Sequence, residues 1–430
     1  MEADVNAVTL TMKKAKSAAE KQVSALILKK VKAKAKHQAQ KQNDVVKPQK
    51  VKALVSDMMP SPCHFPDRRF ALSTIKVRKS KLIVGSDCRG WGSELWALFK
   101  LGVPAENIEH AFACDVFKWS RVVIHQNDPP PKLWFDDCLS KVHDLAPYVD
   151  LYVAGFPCQS FSLAGKGHGL NDKRGEVVWG CVKYIERQQP AVSVLENVRN
   201  LISNMHKQAF DQIIGRLNAI KRPASAPGVR RQAAYAIDYA ILNSKNFGVP
   251  QTRERLYIVG RRVDHIKVHG NLNLFAAAVA KPPALREFLG VKPAVDRTSS
   301  PFPNKSLAAK NLQLAMLKLK SEGLNAADSN VDAVVDLASG RGVNVMNGIC
   351  PTITRARGSC QGFYLTSIAR RLSVQELCKL QGLDPATVNF EDVPESAIGA
   401  LAGNAMTIPV LAAVIREALI STDLATDKAC

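Results

Sequence analysis

Short apolar runs alternate with amphipathic segments from Lys81 onwards, and this alternation predicts strands separated by helices. The predicted strands are residues 82–85, 107–114, 149–155, 191–195, 236–242 and 256–259. Helices are predicted between the strands, the first at residues 93–101 and the second from after Asp115 to about residue 127. Strands and helices in this order predict an α/β fold with a mainly parallel, doubly wound, Rossmann-like sheet.

The pattern changes twice more along the chain and predicts four regions. Residues 1–80 are rich in lysine, alanine and glutamine and predict a flexible tail and linker. Residues 81–262 hold the α/β pattern. Residues 263–370 contain several prolines and a helix-like stretch at 307–319, and they predict a smaller, irregular domain. Residues 371–430 are helix-rich and are expected to return to the α/β domain.

The charge of the chain favours a polyanionic partner. Its 430 residues carry a formal net charge of +21, and about half of the excess lies between Lys13 and Lys52. This lysine-rich segment is suited to contacts with nucleic acid, to recognition by nuclear import factors, or only to keeping the protein in solution. We therefore expect a nuclear, or otherwise intracellular, monomer. A membrane location is not expected, because no run approaches the ~20 apolar residues of a membrane helix.

One cysteine occupies a position typical of a nucleophile. The ten cysteines include no C-x-x-C pair, so neither a disulfide scaffold nor a metal site is expected. Cys158, however, comes directly after the apolar run 149–155 and follows Pro157. The end of a strand in an α/β sheet is where ligands bind, so a thiol there is well placed for covalent chemistry.

Glycines and acids follow the other predicted strands. The turn Gly90-Trp91-Gly92 opens a helix, where glycine lets the backbone approach a ligand. Asp115 ends the next strand, where a carboxylate commonly accepts hydrogen bonds from two ribose hydroxyls. Asp137 is placed to accept a bond from an adenine amino group, although its spacing alone favours an ordinary surface position. The turn and Asp115 together predict a cofactor that contains a nucleoside.

The segment around Cys158, Pro157-Cys158-Gln159, resembles the signature loop of the DNA cytosine C5-methyltransferase family. Four further segments resemble motifs of the same family, in the same order: residues 195–198, 251–255, 371–382 and 403–406. The resemblance covers roughly residues 82–262 and 350–420. It implies that residues 81–262 form the catalytic domain, that residues 263–370 recognise the target, and that residues 371–430 complete the catalytic domain.

The resemblance implies an enzyme that transfers a methyl group from S-adenosyl-L-methionine to C5 of a cytosine flipped out of duplex DNA. Cys158 would add to C6 of the base, and Glu196 would hold or protonate N3. Arg255 would orient the base, and Arg253 would hold the loop of Glu196. We expect the two arginines to lower the pKa of Cys158 and the pKa of Glu196 to be raised.

The resemblance also assigns residues to the two ligands. The residues expected to bind the cofactor are Cys88, Gly90, Gly92, Asp115, Val116, Asp137, Cys138 and Asn404. The residues expected to contact DNA are Gln159, Ser162, Lys166 and Arg174. The last two lie in a glycine-rich loop, residues 165–175, that is expected to close over the substrate.

The cofactor turn departs from the family's pattern. The family has an acid at the position of Ser86 and an aromatic residue at that of Cys88; here Asp87 is adjacent, and Trp91 is a candidate stacking surface. Other readings stay open. A cysteine hydrolase would need a histidine placed to serve the thiol, and none is found. One family alternative is a tRNA cytosine C5-methyltransferase, because tRNA-modifying members share this chemistry, although the Cys-Phe-Thr tripeptide typical of that branch is not found. The other is a non-catalytic homologue that binds nucleic acid.

Overall fold

The computed structural model describes residues 72–127, 129–158, 173–223, 232–279, 281–290, 302–303 and 305–428. The strands in these ranges are β1 Ile75–Val77, β2 Leu82–Asp87, β3 Ile108–Cys114, β4 Leu133–Phe135, β5 Leu151–Gly155, β6 Val192–Val198, β7 Tyr235–Asn243, β8 Glu254–Arg262, β9 Ala333–Asp336, β10 Val345–Asn347, β11 Phe363–Leu365, β12 Arg370–Arg371 and β13 Ala425–Asp427. The α-helices in the same ranges are α1 Ser93–Lys100, α2 Lys118–Asn127, α3 Lys173–Gln188, α4 Lys207–Ala219, α5 Leu307–Ser321, α6 Arg355–Ser359, α7 Val374–Lys379, α8 Glu395–Asn404 and α9 Ile408–Ser421.

Seven strands form the central sheet in the order β4-β3-β2-β5-β6-β8-β7. Neighbours from β4 to β6 pair in parallel, whereas β8 pairs antiparallel with both β6 and β7. Only β8 therefore runs against the others, because a connection as short as that between β7 and β8 joins antiparallel neighbours. The expected mainly parallel α/β sheet is confirmed, with this one reversed strand.

The central strands are mostly buried because both faces of the sheet are covered. In β5, Leu151 and Val153 belong to one buried apolar cluster, whereas Tyr152 and Ala154 belong to another. Successive side chains of a strand point to opposite faces, so the two clusters lie on the two sides of the sheet. Helices α1 and α9 contribute to the first cluster, and α3 and α4 contribute to the second.

A second, four-stranded sheet has the order β10-β9-β11-β12 and is antiparallel throughout. Leu312, Ala315 and Leu319 of α5 share an apolar cluster with strands of this sheet. The predicted helix at residues 307–319 is thus present as α5. Leu274 and Leu285, also in the predicted region 263–370, belong instead to the first cluster of the main sheet. The four region boundaries stay predictions.

The C-terminal helices pack tightly against the segment that precedes them. A Cβ atom built on Gly358 of α6 would lie 1.9 Å from the carbonyl oxygen of Gly399 in α8. Both positions therefore require glycine, and the two backbones are in direct contact. None of the described helices alone is long and apolar enough to span a membrane. Helices α8 and α9, which are bent relative to each other, meet the criteria of length and hydropathy only when taken together.

Candidate active site

The parallel strands bring three of the matched motifs together at one edge of the sheet. Gly155, the last residue of β5, pairs with Glu196 of β6. A Cβ atom built on Gly155 would lie 3.5 Å from Oε2 of Glu196, 3.5 Å from Cε of Met406 and 4.0 Å from the carbonyl oxygen of Cys88. The segment of Cys158, the matched segments 195–198 and 403–406, and the cofactor turn therefore meet around Gly155.

Glu196 is buried and paired with Arg255. Nε of Arg255 lies 3.2 Å from Oε1 of Glu196, and their side chains are only 13% and 8% exposed. The reversed strand β8 makes this pair possible, since Arg255 lies opposite Val198, two residues from Glu196 on the same face. Burial raises the pKa of Glu196, while Arg255 and Arg253 oppose the rise. The expected rise in the pKa of Glu196 is confirmed.

Cys158 is half-buried and follows β5. Burial raises the pKa of its thiol, and the neighbouring Glu196 raises it further, although Arg255 and Arg253 lower it. The expectation that the arginines leave this pKa below its usual value was wrong, because desolvation of the thiolate outweighs both cations. The thiol shares its electrostatic environment with Glu196 and Arg255, as a joint role requires.

Asn197 holds the backbone that leads to Cys158. Its Nδ2 donates to the carbonyl oxygen of Phe156 over 3.1 Å, and its Oδ1 accepts from the N–H of Val198 over 2.8 Å. The side chain is only 1% exposed. Both ends of the amide are thus used inside the protein, and Asn197 is a positioning residue for the cysteine segment.

Arg253 acts elsewhere than expected. Its guanidinium donates to the carbonyl oxygens of Ile353 and Ala405, over 2.6 and 2.7 Å, and to that of Gly403 over 3.3 Å. These bonds tie the start of β8 to the C-terminal segment, because the buried guanidinium finds its acceptors there. The expectation that Arg253 holds the Glu196 loop is therefore corrected. Burial and the neighbouring Arg255 lower the pKa of Arg253 to about 9.

Gln251 is a second buried side chain that joins the segment before β8 to the C-terminal part of the chain. Its Nε2 donates to the carbonyl oxygen of Leu380 over 2.7 Å, and its Oε1 accepts from the N–H of Ile353 over 3.1 Å. The residue is fully buried. Its place as the first residue of the matched segment 251–255 was a usable signal, since a buried amide must satisfy both its donor and its acceptor.

The cofactor turn is open and backed by Asp115. Cys88, Gly90 and Gly92 have φ angles of 52°, 62° and 86°, and a Cβ atom on Gly90 would meet nothing within 4 Å. The N–H groups of Gly90 and Phe117 each donate to one carboxylate oxygen of Asp115, both over 2.7 Å. Burial raises the pKa of Asp115, against these two hydrogen bonds. The carboxylate is thus held rigidly beside open space.

Two expected substitutes at this turn are not available. Asp87 is fully buried, and its carboxylate accepts from Nζ of Lys141 over 2.6 Å and from the hydroxyl of Tyr152 over 2.6 Å. Trp91 is 1% exposed and donates its ring N–H to Oγ of Ser93 over 2.9 Å. Asp87 therefore cannot replace the missing acid, and the idea that Trp91 offers a stacking surface was wrong, because its ring lies in the core.

The remaining residues assigned to the cofactor differ in exposure. Val116 is 78% exposed directly after Asp115, as an apolar contact for a bound ring requires. Asp137 is half-buried and accepts from the N–H of Leu139 over 2.9 Å. Cys138 is buried, and Asn404 is exposed at the end of α8. The open turn, the fixed carboxylate and the exposed Val116 fit an adenosyl group.

The residues assigned to DNA are described least. Gln159, Ser162 and Lys166 lie outside the described residues. Arg174 lies in the first turn of α3, and its side chain is outside what the structure describes. The expected loop of residues 165–175 therefore ends earlier than predicted, because α3 begins at Lys173.

At one edge of the α/β sheet, this arrangement combines a thiol, a buried carboxyl–guanidinium pair and an open glycine turn with a carboxylate. It defines a group-transfer enzyme that uses a nucleoside-containing cofactor. The sequence profile of C-5 cytosine-specific DNA methylases matches residues 97–419, and the chain belongs to this family.

Individual relatives agree with the family. The chain is 29% identical over 317 residues to the type II methyltransferase M.NgoBI of Neisseria gonorrhoeae, covering 73% of this chain and 87% of that protein. It is 26% identical over 338 residues to M.HaeII of Haemophilus aegyptius, covering 76% and 92%. The crystal structure of the S. pombe Dnmt2 methyltransferase superposes with a TM-score of 0.52 at 15% identity, over 79% of this chain and 98% of that chain, and shows the fold alone.

The protein is thus a DNA cytosine C5-methyltransferase that depends on S-adenosyl-L-methionine. The expected family, activity and cofactor are confirmed, and the non-catalytic and tRNA-directed alternatives are set aside. The nuclear location stays a prediction, and these bacterial relatives do not support it.

Proposed function

We propose that Cys158 forms a covalent bond to C6 of the target cytosine and that Glu196, held by Arg255, balances the charge on the base. C5 of cytosine is a poor nucleophile, and addition of a thiolate at C6 makes C5 enamine-like. The observation that carries this proposal is the buried pair of Arg255 and Glu196, 3.2 Å apart, at the strand end next to the cysteine segment.

The protonation of Glu196 suits a bond to N3 of the base. Burial raises the pKa of this carboxyl group, which favours the protonated form. A protonated carboxyl group donates a hydrogen bond, so it stabilises the negative charge that reaches N3 as the thiolate adds. The same carboxyl group also raises the pKa of Cys158.

The cofactor turn would hold the methyl donor beside this pair. S-adenosyl-L-methionine supplies an electrophilic methyl group when it is bound. Asp115 would accept the ribose hydroxyls, and Val116 would contact the adenine ring. Gly90 leaves the space that the nucleoside needs. Cys88, Gly92, Asp137, Cys138 and Asn404 complete the proposed cofactor set.

The substrate base must leave the duplex, because C6 is inaccessible to a thiol in stacked DNA; flipping costs a few kcal/mol. Gln159, Ser162, Lys166 and Arg174 are the residues proposed to contact the DNA around it. We also propose that one copy of the chain is sufficient, and that the lysine-rich segment at residues 13–52 adds nonspecific phosphate contacts or serves nuclear import.

The direct test removes the thiol of Cys158 and leaves the other residues unchanged. The purified chain, its Cys158→Ala variant and a Cys360→Ala control are each incubated with duplex DNA and the methyl donor. Base-resolution mapping of 5-methylcytosine then gives both activity and target sequence. Cys360 is an exposed thiol far along the chain from the proposed site, so its loss should change nothing.

We expect Cys158→Ala to lose turnover by about 10⁴-fold or more, while its affinity for DNA stays close to wild type. The Cys360→Ala control should methylate at the wild-type rate. Methylation that persists in Cys158→Ala would refute the role of this cysteine without affecting the family assignment.

A further inference from the structure

An exposed arginine borders the cofactor site, and the proposed cofactor set does not include it. Arg355 is the first residue of α6, and its guanidinium carbon lies 4.9 Å from the ring centroid of Phe117. The N–H of Phe117 donates to the carboxylate of Asp115 over 2.7 Å, so Arg355 lies close to the proposed ribose acid. Burial raises the pKa of Asp115, and the positive charge of Arg355 is among the effects that lower it.

The backbone of Arg355 also touches a second segment of the proposed cofactor site. A Cβ atom built on Gly403 would lie 2.3 Å from the carbonyl oxygen of Thr354 and 2.5 Å from the backbone nitrogen of Arg355. Gly403 directly precedes Asn404, which belongs to the proposed cofactor set. Arg355 therefore joins the segment that contains Asp115 to the one that contains Asn404.

Buried hydrogen bonds fix the place from which the Arg355 side chain extends. The guanidinium of Arg253 donates to the carbonyl oxygens of Ile353 and Gly403, over 2.6 and 3.3 Å, on either side of this contact. Among the described residues, the Arg355 guanidinium has its ring contact with Phe117 but no hydrogen bond or ion pair. A guanidinium that stacks through its face keeps the N–H donors at its edges for a ligand.

The proposed cofactor set contains no positive charge to match the acid of its ligand. The charged members of that set are Asp115 and Asp137, and both are acids. S-adenosyl-L-methionine and its product S-adenosylhomocysteine each carry an α-carboxylate on their amino acid part. A carboxylate that binds beside two acids is stabilised by a cationic partner, and arginine offers paired N–H donors that match its two oxygens.

We propose that Arg355 binds the α-carboxylate of the cofactor and so selects a ligand with a complete amino acid part. This inference rests on the proposed cofactor site and adds to it a residue from outside the matched segments. The guanidinium would donate to the carboxylate while its face stays on the ring of Phe117. Ligands that contain the adenosyl group without the carboxylate should then bind independently of Arg355.

The test compares two ligands that differ only in this carboxylate, S-adenosylhomocysteine and its decarboxylated analogue. Calorimetry measures the affinity of each ligand for the full wild-type chain and for the variants Arg355→Ala and Arg355→Lys. Affinity for a duplex DNA of random sequence is measured on the same samples. Arg216→Ala is the matched control, because Arg216 is an exposed arginine of α4 that pairs with Glu186 over 2.9 Å. None of these measurements depends on methyl transfer.

We expect Arg355→Ala to bind S-adenosylhomocysteine about tenfold or more weakly than wild type, and to bind the decarboxylated analogue with wild-type affinity. Arg355→Lys should recover part of the loss, because lysine keeps the charge but not the paired donors. Arg216→Ala should bind both ligands as wild type does.

Equal weakening of both ligands in Arg355→Ala would overturn the proposal, because the arginine would then act on the adenosyl group or on the shape of the site. Unchanged affinity for S-adenosylhomocysteine with weaker DNA binding would overturn it too and assign Arg355 to a phosphate. Wild-type protein that binds the two ligands equally well would refute the proposal without any variant. Wild-type protein that binds neither ligand would contradict the proposed cofactor site itself, and this inference with it.

Discussion

Two buried carboxyl groups at the same edge of the sheet have opposite surroundings. Both oxygens of Asp87, at the end of β2, accept from Nζ of Lys141, and one also accepts from Tyr152. Glu196, in β6, has the ion contact with Arg255, but its Oε1 has no hydrogen-bond partner among the described residues. Burial raises the pKa of both groups.

The difference separates a structural charge from a functional one. Both oxygens of Asp87 accept hydrogen bonds inside the protein, and the residue is fully buried, so it stabilises the strand end and is not available to a ligand. Glu196 keeps capacity for one more partner, and a buried polar atom left without one needs a functional explanation. We propose that the missing partner is the target base.

Of the variants that test this difference, Glu196→Gln should have the largest effect. Gln keeps the size of the side chain but cannot supply an acidic proton to N3, so turnover should fall by about 10²–10⁴-fold. Thermal unfolding should change less than in Asp87→Asn, because Gln keeps an oxygen that can accept from Arg255, and Arg255 also donates to the carbonyl oxygen of Glu254. Turnover with DNA and the melting temperature are measured on the same samples. A large loss of stability with little loss of turnover would mean that Glu196, like Asp87, has a structural role.

The reverse outcome is expected for Asp87→Asn. This change leaves the buried ammonium group of Lys141 without its counter-charge, so the free energy of unfolding should fall by about 3–5 kcal/mol. Denaturant titration measures this loss. Protein that folds should still methylate DNA at a rate close to wild type. Unchanged stability would mean that Lys141 finds another partner or reaches water.

A smaller effect is expected from Asp115→Asn. The amide keeps one oxygen for the N–H of Gly90 or Phe117 but lacks the charge that favours ribose hydroxyls, so cofactor affinity should fall by about tenfold. DNA affinity should not change. Calorimetry with each ligand separates the two, and Asp137→Asn, at a more peripheral carboxyl group, serves as a control with a smaller loss. Equal losses for both ligands would indicate a general distortion of the turn.

Apart from any loss of rate, Arg255→Ala should displace the pH profile, and this displacement is the smallest shift predicted. A neighbouring cation favours the charged form of both Cys158 and Glu196, and Arg255 lowers both pKa values. Loss of Arg255 should therefore raise both pKa values. The value of kcat/KM rises with pH as the thiolate forms and falls as Glu196 loses its proton, so both limbs of the profile should move to higher pH by about 1 unit. A profile that moves to lower pH would contradict the arrangement.

Much of the fold was predictable because its information is local. Each central strand is an apolar run, and β2, β3, β5 and β6 were all expected close to where they lie. The small antiparallel sheet was not expected, since its strands are two to four residues long and show too little alternation. The reversed direction of β8 was not expected either, because a run of apolar residues carries no direction.

Site residues that lie in short sequence motifs were predictable. Contacts between residues that are distant in the sequence were not. Cys158 and Glu196 followed from short motifs, whereas Asp87 and Lys141 are 54 positions apart and share no pattern. The burial of Trp91 and the raised pKa of Cys158 depend on packing around the two residues. Desolvation is a property of the folded surroundings, so no local pattern reports it.

The most direct measurement traps the covalent bond between Cys158 and the base. Duplex DNA that contains 5-fluorocytosine is incubated with the chain and S-adenosyl-L-methionine, and the denatured products are separated and digested for mass spectrometry. Fluorine at C5 cannot leave as a proton does, so the enzyme should stay bonded to the DNA through the peptide that contains Cys158. No adduct with wild-type protein, or an adduct that still forms with Cys158→Ala, would contradict the account.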